Sequence, residues 1–177
     1  MSIPRYRNSL IVAHWLMALL ILGLIGLGWY MVEIPPKTPA RGYFYNLHKA
    51  FGLIAMGVIV LFALLRALQR PPPLPDSMQS WEKTAAHWAH MLTYGLLLVV
   101  PLSGYAEANL NPYGIKFFGL HLKPWGPEMA GLSAALKTVH VYSANAFAGL
   151  LGIHILAALK HALINRDGVL RRMLPGR

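Results

Sequence analysis

Three histidines lie along one apolar stretch of the sequence, residues 137–161, and imidazole is a common metal and haem ligand. They are His140, His154 and His161. His140 and His154 are fourteen residues apart, which is almost four turns of an α-helix, so both rings leave the same helix face. The helical rise separates them by about 21 Å, within a hydrocarbon core of about 30 Å. This spacing predicts two cofactors stacked along one helix at two membrane depths.

The composition is typical of a membrane protein. Of the 177 residues, 56% are hydrophobic and 12% are charged, and the mean hydropathy is +0.46. The absence of cysteine excludes disulfides, iron–sulfur clusters, thiolate-ligated haem, covalently attached c-type haem and thiol catalysis. The net charge of +10 is not arranged as a basic stripe with interleaved aromatic residues, so we expect no nucleic-acid partner.

Four apolar runs are long enough to cross a bilayer and to position the histidines. They predict an all-α membrane protein, a four-transmembrane-helix bundle that forms a single domain over residues 1–177. The expected spans are about 10–32, 45–68, 84–106 and 139–163. Pro101 lies inside the third span and is expected to kink it or end it early. The long connection between spans three and four is expected to contain a short helix near residues 127–137.

Cationic residues favour a topology with both termini in the cytoplasm, because Lys and Arg are enriched in cytoplasmic segments. In this topology ten cations lie inside: Arg5, Arg7, Arg66, Arg70, Lys83, Lys160, Arg166, Arg171, Arg172 and Arg177. Six lie outside: Lys37, Arg41, Lys49, Lys116, Lys123 and Lys137. The outer side therefore still carries substantial positive charge.

The same topology sorts the histidines into two layers. His48 and His140 lie near the outer ends of spans two and four, whereas His14 and His154 lie in the inner half of the membrane. Neutral imidazoles on facing helices of a bundle supply the two axial ligands of a haem iron, and such ligation favours electron transfer over oxygen binding. The layers therefore predict two haems, with His14, His48, His140 and His154 as iron ligands.

Other interpretations compete with this one. A histidine in a span often only hydrogen-bonds a neighbouring helix, although ionisable groups there are costly and usually functional. Zinc and copper sites usually draw three or four ligands together, but His140 and His154 are too far apart to share one ion. His87 and His90, at the inner end of span three, remain alternative partners for His14 or contacts of the inner haem. His121 is interpreted as an ordinary loop residue.

Glycines in the same spans have two explanations. They are Gly23, Gly26, Gly28, Gly52, Gly57, Gly149 and Gly152. Small residues let a macrocycle approach the backbone, and they equally let two helices pack closely in a membrane.

Several short motifs around the histidines resemble those of one family. They are Ala13-His14-Trp15, Asn46-Leu47-His48-Lys49, Ala86-His87-Trp88-Ala89-His90, Leu136-Lys137-Thr138-Val139-His140, Gly152-Ile153-His154, Ala157-Ala158-Leu159-Lys160-His161 and Leu170-Arg171-Arg172-Met173-Leu174-Pro175. In combination they resemble the bacterial cytochrome b-561 family over nearly the whole chain. This family belongs to a wider group that includes the membrane cytochrome b subunits of formate dehydrogenase and nickel–iron hydrogenase.

The resemblance implies two non-covalent b haems in a multi-pass protein of the bacterial inner membrane. Its ligand pattern draws on spans one, two and four. Carried over, it pairs His48 with His140 on the periplasmic side and His14 with His154 on the cytoplasmic side, as the depth argument also does.

Short stand-alone members of the family resemble the superoxide oxidase type. This resemblance implies that superoxide gives an electron to the outer haem and that ubiquinone is reduced near the cytoplasmic face. The position that matches His161 is the expected quinone contact. His161 is on the same helix face as His154 and about 10 Å further in. His87 and His90 are candidates for the surroundings of the inner haem or the quinone.

Two lysines, Lys49 and Lys137, adjoin the outer haem ligands in the sequence. Positive charge there would attract a small anion and raise its encounter rate, so both are candidates for steering superoxide. Ordinary anchoring of helix ends at the membrane surface is the alternative explanation.

Three function classes follow. The first is a superoxide:ubiquinone oxidoreductase, whose partners are lipid, superoxide and ubiquinone and which requires no protein partner. The second is a cytochrome b subunit that links a periplasmic dehydrogenase or cytochrome to the quinone pool. The third, a non-redox scaffold or transporter, is disfavoured by the layered histidines.

Overall fold

The computed structural model describes residues 5–75 and 77–175, so Arg177, which was counted among the inner cations, lies outside them. In the described residues four long helices follow each other: α1 (Asn8–Glu33), α2 (Pro39–Leu68), α3 (Ser80–Leu110) and α4 (Ala130–Lys160). An antiparallel hairpin, β1 (Ile115–Phe117) and β2 (Leu120–Leu122), lies between α3 and α4. Each of these helices is long and apolar enough to cross a membrane, which confirms the expected four-helix membrane fold.

The helices extend beyond the apolar runs because their polar ends continue the helical hydrogen bonding. α4 has 31 residues, which corresponds to about 46 Å and exceeds a hydrocarbon core of about 30 Å. α2 starts earlier than expected, since the Thr38 hydroxyl accepts a hydrogen bond from the Arg41 amide and Pro39 occupies the first turn. His48 consequently lies more than two turns inside α2 rather than at its start.

Pro101 lies within α3 and does not end it. Proline has no N–H group, so it leaves a carbonyl of the preceding turn without its helical partner. On that turn, the Ser103 hydroxyl donates to the carbonyl oxygens of Val99 and Val100 at 2.7 and 3.0 Å. The helix nevertheless continues to Leu110.

The bundle consists of two helical hairpins. α1 packs mainly against α2, and α3 packs mainly against α4, while α2 and α3 join the two hairpins. The core lies in the half of the bundle that holds His14 and His154. It contains Leu10, Ala13, Met17, Ile59, Phe62, Leu97 and Phe147. Large apolar side chains such as Leu19, Val60 and Leu156 point outward, as expected for surfaces that face lipid.

The connection between α3 and α4 differs from the expectation in detail. It contains the hairpin, and the helical turns expected near residues 127–137 belong to the start of α4 rather than to a separate helix. Phe118 and Gly119 form the hairpin turn with positive φ angles of 46° and 97°. The hairpin is attached to α2, because the Lys49 ammonium donates to the Gly114 carbonyl at 2.7 Å and Phe118 packs edge-on against Phe51.

The C-terminal tail closes the other end of the bundle. The indole N–H of Trp15, next to His14, donates to the Met173 carbonyl at 2.6 Å. Arg172 is only 7% exposed, and its guanidinium donates to the Pro73 carbonyl. Burial raises the pKa of the Tyr6 phenol nearby, although the charges of Arg66 and Arg172 partly oppose this shift. The tail therefore packs beside the inner histidines and brings positive charge with it.

Candidate functional site

The inner pair of histidines is formed by α1 and α4. His14 lies on the second turn of α1, and α4 places His154 opposite it, with the ring centres 6.5 Å apart. Trp15 packs edge-on against His14, and Phe62 of α2 lies 6.3 Å from it. The inner pair is thus surrounded largely by aromatic rings.

A third ring joins this inner layer. His90 of α3 lies 5.8 Å from His154, at an interplanar angle of 75°, so the rings of both His14 and His90 are close to His154. The sequence left His90 open as an alternative partner, and the structure brings it to His154 rather than separating it from the layer. His87, in contrast, packs edge-on against Trp88 on the same helix.

The outer pair is formed by α2 and α4. The ring centres of His48 and His140 are 6.2 Å apart, with an interplanar angle of 86°. The His140 Nδ1 atom lies 2.8 Å from the Val100 carbonyl oxygen on α3. Because a carbonyl only accepts hydrogen bonds, Nδ1 carries the hydrogen and Nε2 is left with a free lone pair. The His140 ring is therefore in the tautomer that leaves Nε2 free to bind a metal.

Backbone without side chains lies against both outer rings. A Cβ atom at Gly104 of α3 would lie 2.8 Å from the His140 ring, closer than real Cβ contacts. A Cβ atom at Gly28 of α1 would lie 3.4 Å from the His48 ring. Gly104 therefore lets the His140 ring lie directly on α3, one turn after the carbonyl of Val100 that it contacts.

The other span glycines do not make such contacts. They are Gly23, Gly26, Gly52, Gly57, Gly149 and Gly152, and no neighbouring atom of the described residues lies within 4 Å of the Cβ position of any of them. Close helix–helix packing does not explain their small size. Gly26 and Gly152 instead line a groove of about 220 Å³ between α1 and α4, together with Leu22, Ile25, Trp29, Ala148, Leu151 and Ile155.

Both histidine pairs fit a haem iron by their own geometry. Two imidazoles that bind one metal from opposite sides, with bonds of about 2 Å, have ring centres about 6 Å apart. The observed separations are 6.2 and 6.5 Å. Within residues 5–75 and 77–175, no group of three or more His, Cys, Asp or Glu residues is arranged to hold one metal ion. The donor set therefore suits two bis-imidazole haems better than zinc or copper.

The inner end of α4 contains a second polar group of residues. His161 begins a π-helical turn that ends at Asn165, and its Nδ1 atom lies 2.5 Å from Asp167 Oδ2. Beside it, the Lys160 ammonium contacts the Glu82 carboxylate of α3 at 2.6 Å. The predicted quinone contact thus has an acidic partner.

The two outer lysines differ in their surroundings. Lys49 is half-buried and donates its hydrogen bond to the Gly114 carbonyl, so its ammonium holds the hairpin on α2. Lys137 is exposed on the outer turns of α4, three residues before His140. Of this pair, Lys137 is the better placed to attract an anion from solution.

Val100, Gly104 and Asp167 are the site residues that sequence reasoning missed. A carbonyl group has no sequence signature, and Gly104 lies on a helix that carries no outer ligand. Asp167 had a weak signal, since it is one of only six acidic residues in the chain and lies six residues after His161.

Comparison with known proteins places this arrangement in a family. Residues 5–176 match the family described as prokaryotic cytochrome b561. Cytochrome b561 homolog 2 of Escherichia coli K12 is 32% identical over 175 residues, covering 96% of this chain and 91% of that protein.

Two further relatives match this chain over nearly the full length of both proteins. A probable superoxide oxidase, CybB, of Yersinia pestis is 28% identical, over 97% of this chain and 96% of that protein. Cytochrome b561 homolog 1 of E. coli K12 is 24% identical, over 98% of each. The match over nearly all of the sequence confirms the resemblance drawn from the histidine motifs. The chain belongs to the prokaryotic cytochrome b561 family of multi-pass membrane electron-transfer proteins, which bind haem b.

Proposed function

We propose that this protein holds two b haems, one between His48 and His140 and one between His14 and His154, and carries electrons across the membrane between them. The observation that carries the proposal is the repeated geometry of two imidazole pairs. Each pair has one ring on α4 and one on a neighbouring helix, with ring centres 6.2 and 6.5 Å apart. When bound, a haem with two imidazole ligands supplies one-electron transfer. With a histidine of each pair on either side of it, the group would supply electron transfer rather than oxygen binding.

The protein's own groups hold the outer ligand in place. The Val100 carbonyl accepts the hydrogen from His140 Nδ1, which fixes the orientation and the tautomer of the ring. Gly104 provides the space in which the ring lies. The inner ligands are oriented instead by ring contacts with Trp15, Phe62 and His90.

We further propose a bacterial inner-membrane location with both termini in the cytoplasm, which the distribution of cations supports. In this orientation the β-hairpin and Lys137 face the periplasm, and His161 with the Arg-rich tail faces the cytoplasm. Electrons enter beside the outer pair and leave beside the inner pair.

Superoxide is the proposed electron donor, and each anion is oxidised to O₂ as it gives up one electron. The name of the Yersinia pestis relative supports this donor, as does the positive charge of the outer side. Exposed Lys137 steers the anion towards the outer pair. Lys49 adds positive charge beside His48 and also holds the hairpin through its bond to the Gly114 carbonyl.

Ubiquinone is the proposed acceptor near His161. Two superoxide anions supply two electrons, and two protons from the cytoplasm complete the reduction of one ubiquinone to ubiquinol. His161 is suited to the quinone carbonyl because an imidazole N–H is a hydrogen-bond donor at the depth of the inner helix end.

Exposed aromatic residues in the outer connection favour an alternative function, that of an electron-transfer subunit with a protein partner. The outer connection exposes three aromatic rings, those of Tyr113, Phe118 and Trp125, of which Tyr113 is 80% exposed. Aromatic residues are enriched in protein interfaces. In the alternative, a periplasmic dehydrogenase or cytochrome binds there and donates electrons, and the protein is an electron-transfer subunit of the quinone pool.

Stopped-flow mixing of the purified holoprotein with superoxide tests the proposal. We expect haem reduction faster than in free-haem controls, with a rate that falls as salt is raised because the steering is electrostatic. Lys137→Gln should lower this rate about two- to tenfold at low salt and weaken its salt dependence. The control Lys83→Gln, on the opposite side, should leave the rate unchanged. Reduction no faster than in the controls would favour the subunit function.

A further inference from the structure

We infer that Asp167 is a positioning residue for proton delivery to the quinone: it holds His161 so that the Nε2 atom exchanges the proton. This inference rests on the proposed quinone contact of His161. The inference concerns Asp167, which lies outside α4 and is not in contact with the proposed haem ligands.

The contact between the two side chains is short and shielded from solvent. Asp167 Oδ2 lies 2.5 Å from His161 Nδ1, and the side chains are 6% and 12% exposed, respectively. A carboxylate only accepts hydrogen bonds, so Nδ1 carries the hydrogen and Nε2 is the atom left to face a substrate. The other carboxylate oxygen, Oδ1, accepts from the Val169 amide at 3.1 Å, which fixes the acid itself.

The backbone is reshaped at this point to make the contact. In a continuous α-helix, a residue six positions after His161 would lie about 9 Å further along and about 120° around the axis. Instead, the π-helical turn His161–Asn165 ends in Arg166 at φ 51°, and the chain folds back to bring Asp167 onto the ring. A left-handed conformation is unfavourable in a residue other than glycine, and such strain clusters at functional sites.

The charged neighbours of His161 leave Asp167 as its carboxylate partner in the described structure. Glu82 of α3 forms an ion pair with Lys160 at 2.6 Å, and Trp81 lies over the same ammonium at 5.2 Å. The Asn165 amide lies 3.2 Å from His161 Nδ1 and carries no charge.

Asp167 also borders a cleft of about 270 Å³ at this end of the bundle. Its lining residues are Ser77, Gln79, Trp81, Glu82, Lys160, Asn165 and Asp167. Polar side chains dominate this lining, so water in the cleft reaches the Asp167 side of the largely buried pair. The pair therefore connects a source of protons with the inner end of α4.

The proton step balances with the proposed electron transfer. Each ubiquinone takes up two electrons, supplied by two superoxide anions that become O₂, and two protons from water in the cleft. Nε2 first takes up a proton from water, which makes the ring a cation beside the Asp167 carboxylate, and then donates that proton to a quinone oxygen while the hydrogen on Nδ1 stays bonded to Asp167. The neutral imidazole then regains a proton from water, and the carboxylate stabilises the cation that results.

The test separates the two halves of the reaction in the full-length holoprotein. Asp167→Asn keeps an oxygen for the Val169 amide and removes the charge. We expect superoxide to reduce the haems at the wild-type rate, whereas kcat for a soluble short-chain ubiquinone falls about 100-fold with KM within twofold. Asp167→Glu should restore part of kcat. The matched carboxylate variant Glu128→Gln, at an exposed position in the connection between α3 and α4, should keep kcat within about twofold.

A double-mutant cycle distinguishes positioning from general damage. Because Asp167 acts through His161, His161→Gln and the double variant with Asp167→Asn should have the same kcat. Wild-type kcat in Asp167→Asn, additive losses in the double variant, or a parallel loss of haem would each overturn the inference. If the wild-type protein itself reduces no ubiquinone, the proposed function fails, and that result is seen before any variant is made.

Discussion

The outer and inner histidine pairs have nearly equal separations, yet different parts of the chain hold them. The outer pair lies against the backbone: His140 contacts the Val100 carbonyl and occupies the space that a Cβ atom of Gly104 would need, and Gly28 faces His48. The inner pair lies among side chains, with aromatic rings and a third histidine around it. The outer layer is therefore fixed by rigid atoms, and the inner layer by groups that can adjust.

This difference indicates which substitutions around each histidine pair the protein can accommodate. Backbone atoms of a helix cannot move without disturbing the helix, so a small added group near His140 has no room. Side chains can change rotamer, so the inner layer should absorb substitutions, provided that the ligands themselves remain. The following predictions test this contrast.

The largest effect should distinguish His14 from His90 as the partner of His154. His14→Gln should remove the inner haem, while His90→Gln should keep two haems per chain and shift the spectrum or potential of the inner one slightly. Haem content per chain and low-temperature difference spectra measure both outcomes. The reverse result, loss of a haem only in His90→Gln, would assign the inner ligand to α3 and make the proposed pairing wrong.

A smaller but still large effect is expected from one methyl group in the outer layer. In Gly104→Ala the Cβ atom would lie 2.8 Å from the His140 ring, and overpacking of this kind costs about 1–3 kcal/mol. This cost corresponds to about 5- to 150-fold in the equilibrium for the correct ring position. The outer haem should be lost or shifted in potential, as redox titration would show.

The same helix offers a control for this substitution. At Gly95 no neighbouring atom of the described residues lies within 4 Å of the Cβ position, so Gly95→Ala should keep both haems. If both alanine variants kept the outer haem at the same potential, the His140 ring would not depend on the space left by Gly104.

The smallest effect concerns the tail that packs beside the inner pair. Trp15→Phe keeps an aromatic ring beside His14 but removes the hydrogen bond to the Met173 carbonyl, worth about 1 kcal/mol. We expect the melting temperature to fall by about 2–4 °C while the inner haem spectrum is retained. Trp88→Phe, an exposed position on α3, is the matched control and should change neither quantity.

The sequence predicted the parts of the molecule that depend on periodicity and composition. Runs of apolar residues indicated the helices, and the spacing of His140 and His154 indicated two depths on one face. The start of α2 at Pro39 was missed because its first turn, with Pro39, Arg41 and Gly42, does not continue the apolar run, and only the Thr38 cap and the proline mark it.

Contacts between distant segments were beyond the reach of a single sequence. The contacts of His140 with Val100 and Gly104 depend on how α3 crosses α4. Neither of these two α3 residues is marked by the periodicity of the sequence. The contact between His161 and Asp167 depends on a π-helical turn and a left-handed residue, Arg166, that no propensity of this segment indicates. The hairpin in the outer connection was likewise hidden, because each strand has only three residues.

The central claim is that each histidine pair holds its own haem, and one measurement tests it most directly. Haem content per chain and redox titration should be recorded for the wild-type protein, His140→Ala and His154→Ala. We predict two low-spin haems in the wild type, only the inner one in His140→Ala and only the outer one in His154→Ala. Two retained haems in either variant, or the same remaining haem in both, would contradict the account.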